Sequence, residues 1–166
     1  MNEEAREVYM ELWGLCTNTR PPLRHRYRSL RESFERIARE QMQNVSLQST
    51  DLAARINYLS VQFSLKDECK NALHTFRLTS NNVMNHRKEP MVHEFLRDVR
   101  SVAEAYQAIF NTSIPKELAE LLPRKVRKFS MKRKKIETIR RIRVCLDFAD
   151  DEFLYVYPVD EVSEES

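Results

Sequence analysis

The chain has 166 residues, a net charge of +3 and 32% charged residues, which fits a helix-rich globular protein with one sizeable core. Its only glycine, Gly14, excludes a glycine-rich phosphate loop and a dinucleotide-binding fingerprint, so we expect no cofactor. Three widely spaced cysteines predict neither a zinc site nor a disulfide framework, and we expect no metal. An acidic, amphipathic N-terminus and the lack of a long apolar run favour a cytoplasmic protein.

Apolar residues recur at helical spacing from the N-terminus to residue 111 and predict five helices. The first helix carries an apolar stripe that includes Trp13. The second is long, and Phe34 lies in the middle of its stripe, so we expect Phe34 in the core. Residues 49–51, with the sequence Ser-Thr-Asp, are expected to cap the third helix.

The fourth predicted helix contains the polar segment RLTSNNVMNH, residues 77–86. We expect Ser64 to cap this helix, Phe76 to face the core and Pro90 to follow its end. Asparagine is a poor helix former, so three of them in this segment need a packing role or a functional one. A fifth long helix and a short sixth one, within IPKELAELLP, complete the helical part.

The residue pattern changes after Pro123. Residues 123–143 contain eleven Lys or Arg and one acidic residue, whereas residues 147–166 contain eight acidic residues and no Lys or Arg. Alternating apolar residues at 142–148 predict a half-buried strand, which pairs with FLYVYPV as a β-hairpin.

These patterns divide the chain into three parts. We expect a mainly α protein with a helical bundle over residues 1–122, followed by a basic linker over residues 123–138. Residues 139–166 are expected to form the β-hairpin and an acidic tail. Because a lone hairpin is only marginally stable in water, we expect these strands to pack on the helical body, on a second copy of the chain, or on a further domain that they begin in a larger protein.

Two interpretations of the polar segment stay open. In the structural one, Asn82 and His86 lie four residues apart on a helix, touch each other and satisfy backbone groups. In the catalytic one, Arg77 holds a phosphate, His86 is the general acid or base, and Asn82 orients its ring. A regular helix places Arg77 and His86 on different flanks, so only a dimer could unite them. We therefore favour the structural interpretation.

Two basic stretches are candidates for phosphate contacts. Arg24, Arg28 and Arg31 lie along one strip of the second helix, but interleaved glutamates favour a salt-bridged surface. The stronger candidate is the basic segment, residues 124–135, for which a flexible linker is the alternative. Its candidate nucleic-acid-binding side chains are Arg124, Lys125, Arg127, Lys128, Lys132, Arg133, Lys134 and Lys135.

Four stretches within residues 23–111 resemble the HEPN superfamily, most closely its DUF4145-like branch: LRESFERIAREQ, LAARINYLS, ALHTFRLTSNNVMNHRKEP and VHEFLRDVRSVAEAYQAIF. The resemblance implies a bundle of four or five helices that dimerises and works beside helicase, nuclease or restriction modules. The ribonucleases of that superfamily have a polar residue directly after the arginine and a shorter spacing to the histidine. Here Leu78 follows Arg77, and Asn81 stands in place of the usual glycine.

We therefore expect a non-catalytic accessory and dimerisation module of a prokaryotic nucleic-acid-processing or defence system. It would form the N-terminal part of a larger helicase-like or nuclease-like protein. One alternative is a metal-independent ribonuclease that uses Arg77, Asn82 and His86. The other is an adaptor that binds proteins through the acidic tail and does not touch nucleic acid. The expected partners are a second copy of the chain, RNA or DNA, and a fused or neighbouring ATPase or nuclease, with no membrane contact.

Overall fold

The computed structural model describes residues 2–46, 51–127, 145–147 and 153–157. The chain divides into two compact units, Met1–Leu118 and Ala119–Ser166. The first unit is a bundle of helices, and the second contains a small antiparallel sheet. The mainly α fold class with a short β element towards the C-terminus is thus confirmed. The boundary between the two units falls after Leu118.

Helices occupy most of the described residues, and three short strands follow them. The elements are α1 (Glu3–Thr17), α2 (Leu23–Gln41), α3 (Leu52–Gln62), α4 (Asp67–Met84), α5 (Val92–Phe110), α6 (Lys116–Ala119), β1 (Arg124–Arg127), β2 (Cys145–Asp147) and β3 (Phe153–Tyr157). None of the helices within the described ranges carries an apolar stretch sufficient to cross a bilayer.

The core of the bundle is formed by the apolar stripes of the five long helices. Phe34 of α2 and Phe76 of α4 are both fully buried, as expected from their positions in those stripes. Their rings meet edge to face, with centroids 6.1 Å apart and planes inclined by 72°. Tyr106 of α5 packs against Phe34 from another side, at 6.4 Å. The edge-to-face arrangement of Phe34 and Phe76 is favourable, because the edge of an aromatic ring is positive and its face is negative.

The first helix is held to the end of α5. The Tyr9 hydroxyl donates a hydrogen bond of 2.7 Å to the carbonyl of Thr112, 103 residues further along the chain. Burial raises the pKa of Tyr9 to about 12, so the hydroxyl keeps its proton and stays a donor. Trp13 was expected on the buried stripe of α1, but 45% of its surface is exposed. The buried residues of α1 are Ala5, Val8, Tyr9 and Leu12.

Three helices end at residues other than glycine in the left-handed conformation. Ser64 follows α3 with φ 52°, His86 follows α4 with φ 57°, and Asn111 follows α5 with φ 49°. The expectation that Ser64 caps the start of α4 was therefore wrong, since Ser64 ends α3 and α4 begins after Lys66. Glycine suits such positions best, but the chain contains only one glycine, which lies inside α1.

The sheet of the second unit has the strand order β1-β3-β2, and both pairs are antiparallel. Arg124 lies opposite Val156 in one pair, and Cys145 lies opposite Tyr157 in the other. The β2–β3 pair confirms the expected antiparallel arrangement. The linker interpretation was wrong for residues 124–127, since they form β1 along the central strand. Lys and Arg have little β-propensity, so this strand depends on a partner distant in sequence.

Candidate functional site

His86 lies beyond the end of α4 and has a backbone role. Its N–H donates to the carbonyl of Val83 at 3.2 Å, and the N–H of Arg87 donates to the carbonyl of Asn82 at 2.8 Å. Together these bonds form a Schellman motif, which closes a helix with one residue in the left-handed conformation. His86 is that residue, and its side chain is exposed.

The premise that a regular helix continues through His86 was wrong. Because α4 ends before His86, the helical spacing that would bring Asn82 and His86 together no longer applies. No side-chain hydrogen bond joins these two residues in the described part of the chain. Asn82 contributes its carbonyl instead, which accepts from the N–H groups of Arg87 and Lys88.

Replacing His86 by glycine is expected to raise the free energy of unfolding by up to about 1 kcal/mol. The left-handed conformation costs an L-residue roughly 1–2 kcal/mol, and the greater freedom of glycine in the unfolded chain offsets part of that gain. His86→Ala is the control, because it removes the ring but keeps the Cβ atom. Urea denaturation measures both variants. A glycine variant less stable than the wild type would mean that the imidazole makes a stabilising contact.

Arg31 of α2 binds the polar segment directly. Its Nη1 donates to the Ser80 hydroxyl at 3.1 Å, to the side-chain carbonyl of Asn81, and to the main-chain carbonyl of Arg77 at 3.5 Å. Its Nε forms an ion pair of 2.8 Å with Glu35, one turn further along α2. Ser80 is fully buried, so this bond satisfies a polar group in the core. Ser80 and Asn81 of the polar segment therefore serve helix packing.

Arg24 joins α2 to α4 in a similar way. Its Nε donates to the carbonyl of Val83 at 2.9 Å, near the last turn of α4. Its guanidinium also lies 3.9 Å from the exposed carboxylate of Glu89. Arg28, between Arg24 and Arg31 in the predicted strip, is exposed. Arg24 and Arg31 thus connect α2 to α4. This disfavours the prediction that the three arginines form a row of free charges that contacts phosphate groups.

Arg77 contacts a histidine that sequence reasoning did not connect with it. The Arg77 Nε donates to His74 Nδ1 at 3.4 Å, and His74 Nε2 lies 3.0 Å from Asn57 Oδ1 on α3. Since Nδ1 accepts and Asn57 Oδ1 can only accept, Nε2 carries the hydrogen and the ring is neutral. Burial lowers the pKa of His74, and the positive charges of Arg77 and Lys70 lower it further. The sequence could have predicted this contact, because His74 and Arg77 are three residues apart and such residues are neighbours on a helix surface.

The basic segment is described only in part. Arg124 is exposed and Lys125 is half-buried, and as neighbours in β1 they lie on opposite faces of the sheet. Arg127 is the last residue of β1. The remaining candidates fall outside the described residues, namely Lys128, Lys132, Arg133, Lys134 and Lys135.

A surface groove with a volume of about 550 Å³ lies between α1 and α6, and we call it the α1–α6 groove. Met10 and Trp13 of α1 are 61% and 45% exposed, although both are large and apolar. They are three residues apart and therefore adjacent on the helix surface. The groove is lined by Arg6, Tyr9, Met10, Trp13, Pro115, Glu117 and Leu118.

Asp98 of α5 is a carboxyl group enclosed in the core, with 1% of its surface exposed. Its Oδ2 accepts a hydrogen bond of 2.8 Å from the Tyr27 hydroxyl. Its Oδ1 has no hydrogen-bond partner among the described residues, since Arg97 Nε at 3.9 Å is close enough to attract it but too far to donate. Burial raises the pKa of Asp98 from 3.8 to about 7. Enclosed in this way, Asp98 affects folding and does not meet solutes.

Neither a metal site nor a similarity to a known protein indicates the function of the chain. Within the described ranges, no three His, Cys, Asp or Glu residues are grouped so that they could hold a metal ion. Comparisons with family models, curated proteins and solved structures found no match. What the chain does is therefore inferred from its own residues and their geometry.

Proposed function

We propose that this protein is a non-catalytic accessory module that pairs with a second copy through the α1–α6 groove and contacts nucleic acid through the basic segment. The exposed apolar surface of the groove carries the proposal. The polar segment supports the non-catalytic part, because Ser80 and Asn81 bind Arg31 and because His86 closes a helix. Arg77, the other half of the alternative ribonuclease site, contacts His74.

The composition of the groove favours protein association. Tryptophan, tyrosine and methionine are enriched at protein interfaces, and a Trp in a desolvated pocket often contributes a large part of the binding energy. The groove contains one of each, and Met10 and Trp13 stand exposed in water. Covering them would remove apolar surface from water, which is the main driving force of association.

The charges of the groove favour a second copy as the occupant. Arg6 of α1 and Glu117 of α6 both line the groove, so its two sides present one side chain of each charge. In the described part of the chain, neither side chain forms an ion pair. A two-fold axis along the groove would place Arg6 of each copy opposite Glu117 of the partner, and both pairs form at once.

Reversing one charge of the groove is expected to weaken the dimer, and reversing both is expected to restore it. Arg6→Glu places two acidic side chains opposite each other, and Glu117→Lys places two basic ones there. Like charges across an interface are unfavourable, whereas the double variant regains the attraction with exchanged signs. Sedimentation equilibrium at low salt measures the dissociation constant of each form.

An apolar variant and a matched control complete this experiment. Trp13→Ser is expected to give a monomer. Val61→Ser removes an apolar side chain that is 83% exposed on α3, outside the groove, and should leave the dimer intact. A wild type that stays monomeric, or a double charge reversal that does not restore pairing, would contradict the proposed interface.

The density of positive charge supports the nucleic-acid contact, since residues 123–143 contain eleven Lys or Arg and one acidic residue. Replacing Lys132, Arg133, Lys134 and Lys135 by glutamine is expected to weaken binding to single-stranded oligonucleotides. The slope of log K against log salt should fall by about 0.7 for each phosphate group that the variant no longer neutralises. Arg28→Gln, an exposed arginine on α2, is the control. No binding of the wild type at low salt would favour an adaptor that contacts proteins only.

The HEPN-like resemblance supports a setting for this module. Under the proposal, the dimer serves a helicase-like or nuclease-like partner in prokaryotic nucleic-acid processing or defence. The module would supply pairing and nucleic-acid attachment, and the partner would supply catalysis. Co-purification of the chain with an ATPase or nuclease encoded beside it tests this setting.

A further inference from the structure

Lys70, His74 and Arg77 form a row along one flank of α4, at spacings of four and three residues. Residues with these spacings lie above one another on a helix surface. All three are half-buried, so their basic groups reach the surface from anchored positions. Within the described ranges, no carboxylate is paired with Lys70 or Arg77, in contrast to Arg31, which is paired with Glu35.

Arg77 is held in a fixed orientation by its neighbour. The Nε of Arg77 donates to His74 Nδ1, and Asn57 holds the opposite nitrogen of the ring. Rotation of the guanidinium is thereby restricted, while Nη1 and Nη2 have no hydrogen-bond partner in the described part of the chain. A planar guanidinium with two free donors matches the spacing of two oxygens on a tetrahedral anion.

The row lacks a negative charge. The charged groups that act on the His74 ring are Arg77 and Lys70, both positive, and α3 adds the uncharged Asn57. The positive charges of Lys70 and Arg77 lie on either side of the neutral His74 ring, and a protonated ring would be repelled by both. An anion placed among the three side chains would convert this repulsion into attraction.

We propose that Lys70, His74 and Arg77 bind an oxyanion of the phosphate type, with Arg77 Nη and Lys70 Nζ as the principal donors. The site uses no residue of the α1–α6 groove or of the basic segment, and it does not depend on the function proposed for them. Protonation of His74 removes the acceptor of the Arg77 Nε bond and adds a third positive charge. Acidification therefore adds positive charge beside the anion and strengthens binding.

Sulfate is the appropriate first probe, because its charge stays constant over the pH range in which histidine titrates. Titration of the full chain with sodium sulfate, followed through the ring resonances of His74 by NMR, is expected to show saturable binding. Bound sulfate should raise the pKa of His74, and each unit of that rise equals a tenfold gain in affinity from high to low pH. Unchanged His74 resonances in excess sulfate at both ends of this range would overturn the proposal.

Variants distinguish this site from general attraction to a basic protein. Arg77→Gln should abolish the sulfate effect on His74, and Lys70→Gln should weaken it by about threefold to fivefold, as expected for a partly exposed charge. Lys70→Gln also keeps the test valid if Arg77→Gln does not fold, because Lys70 forms no ion pair in the described part of the chain that the substitution would break. Arg28→Gln on α2 should leave sulfate affinity unchanged. Equal affinity in all three variants would overturn the proposal.

Two further ligands identify the source of the oxyanion. Inorganic phosphate tests for a small ligand, and a short single-stranded oligonucleotide tests for a phosphodiester backbone. Displacement of sulfate by phosphate alone assigns the site to small phosphate compounds. Displacement by the oligonucleotide, with the same dependence on Arg77, assigns it to nucleic acid. Failure of both ligands to displace sulfate would overturn the assignment to phosphate chemistry.

Discussion

Replacing Phe34 or Phe76 by alanine is expected to lower the free energy of unfolding by about 3–5 kcal/mol in each case. Both side chains are fully buried at the centre of the bundle, and their rings meet edge to face at 6.1 Å. Alanine removes most of the apolar surface at each position and leaves a cavity, which closely packed neighbours fill only in part. Urea denaturation followed by circular dichroism measures the change.

The double variant tests whether the two rings act together. Since the rings touch, the combined loss of stability should differ from the sum of the single losses by about 0.5–1.5 kcal/mol. Leu78→Ala is the control. Leu78 lies on α4, as Phe76 does, but it is 52% exposed, so its replacement should change stability by no more than about 0.5 kcal/mol. A decrease below about 1 kcal/mol at Phe34 or Phe76 would mean that the ring does not contribute to the core.

Replacing Asp98 by asparagine is expected to remove a large pH dependence from the stability of the protein. The enclosed carboxyl has a pKa of about 7 in the folded chain, against 3.8 for an ordinary aspartate. Well below pH 3.8 the group is protonated in both states and costs nothing. As the pH rises, the unfolded chain releases this proton first, so stability falls until the folded group ionises near pH 7. A difference of three pKa units corresponds to at most about 4 kcal/mol.

Asparagine has nearly the same shape as aspartic acid, keeps an acceptor for Tyr27 and carries no charge. The Asp98→Asn variant should therefore match the wild type at about pH 3 and exceed it in stability at pH 7 and above. Glu7→Gln is the control, since Glu7 is exposed on α1. Denaturation curves at several pH values measure the difference. A wild type and an Asp98→Asn variant with parallel pH profiles would show that the carboxyl ionises normally inside the fold.

Periodicity in the sequence located the helices and their buried faces. Phe34 and Phe76 could be assigned to the core because a helix buries one stripe, and because each lies in the middle of its stripe. Asp51 was expected to help cap α3, and its carboxylate does accept from the N–H of Ala54 at 2.8 Å. These features depend on neighbours within one or two turns, which the sequence displays directly.

Features that depend on distant partners were harder to predict. The contact of Arg31 with Ser80 and Asn81 joins residues that are 49 and 50 positions apart, and no local sequence pattern indicates it. Strand β1 forms from basic residues only because β3 lies beside it. The left-handed His86 could not be foreseen, because helices commonly end on glycine and the segment contains none. The His74–Arg77 contact could have been predicted, since it joins residues on adjacent turns of one helix.

The hydrogen bond between Tyr9 and Thr112 has a consequence for protein synthesis. Tyr9 of helix α1 is translated 103 residues before Thr112, whose carbonyl accepts its hydrogen bond. At about 5–20 residues per second, this interval lasts roughly 5–20 s. During that time the apolar stripe of α1 has no α5 to cover it and is available to chaperones or to other nascent chains. Slower translation of the α5 codons would lengthen this exposure and lower the yield of folded protein.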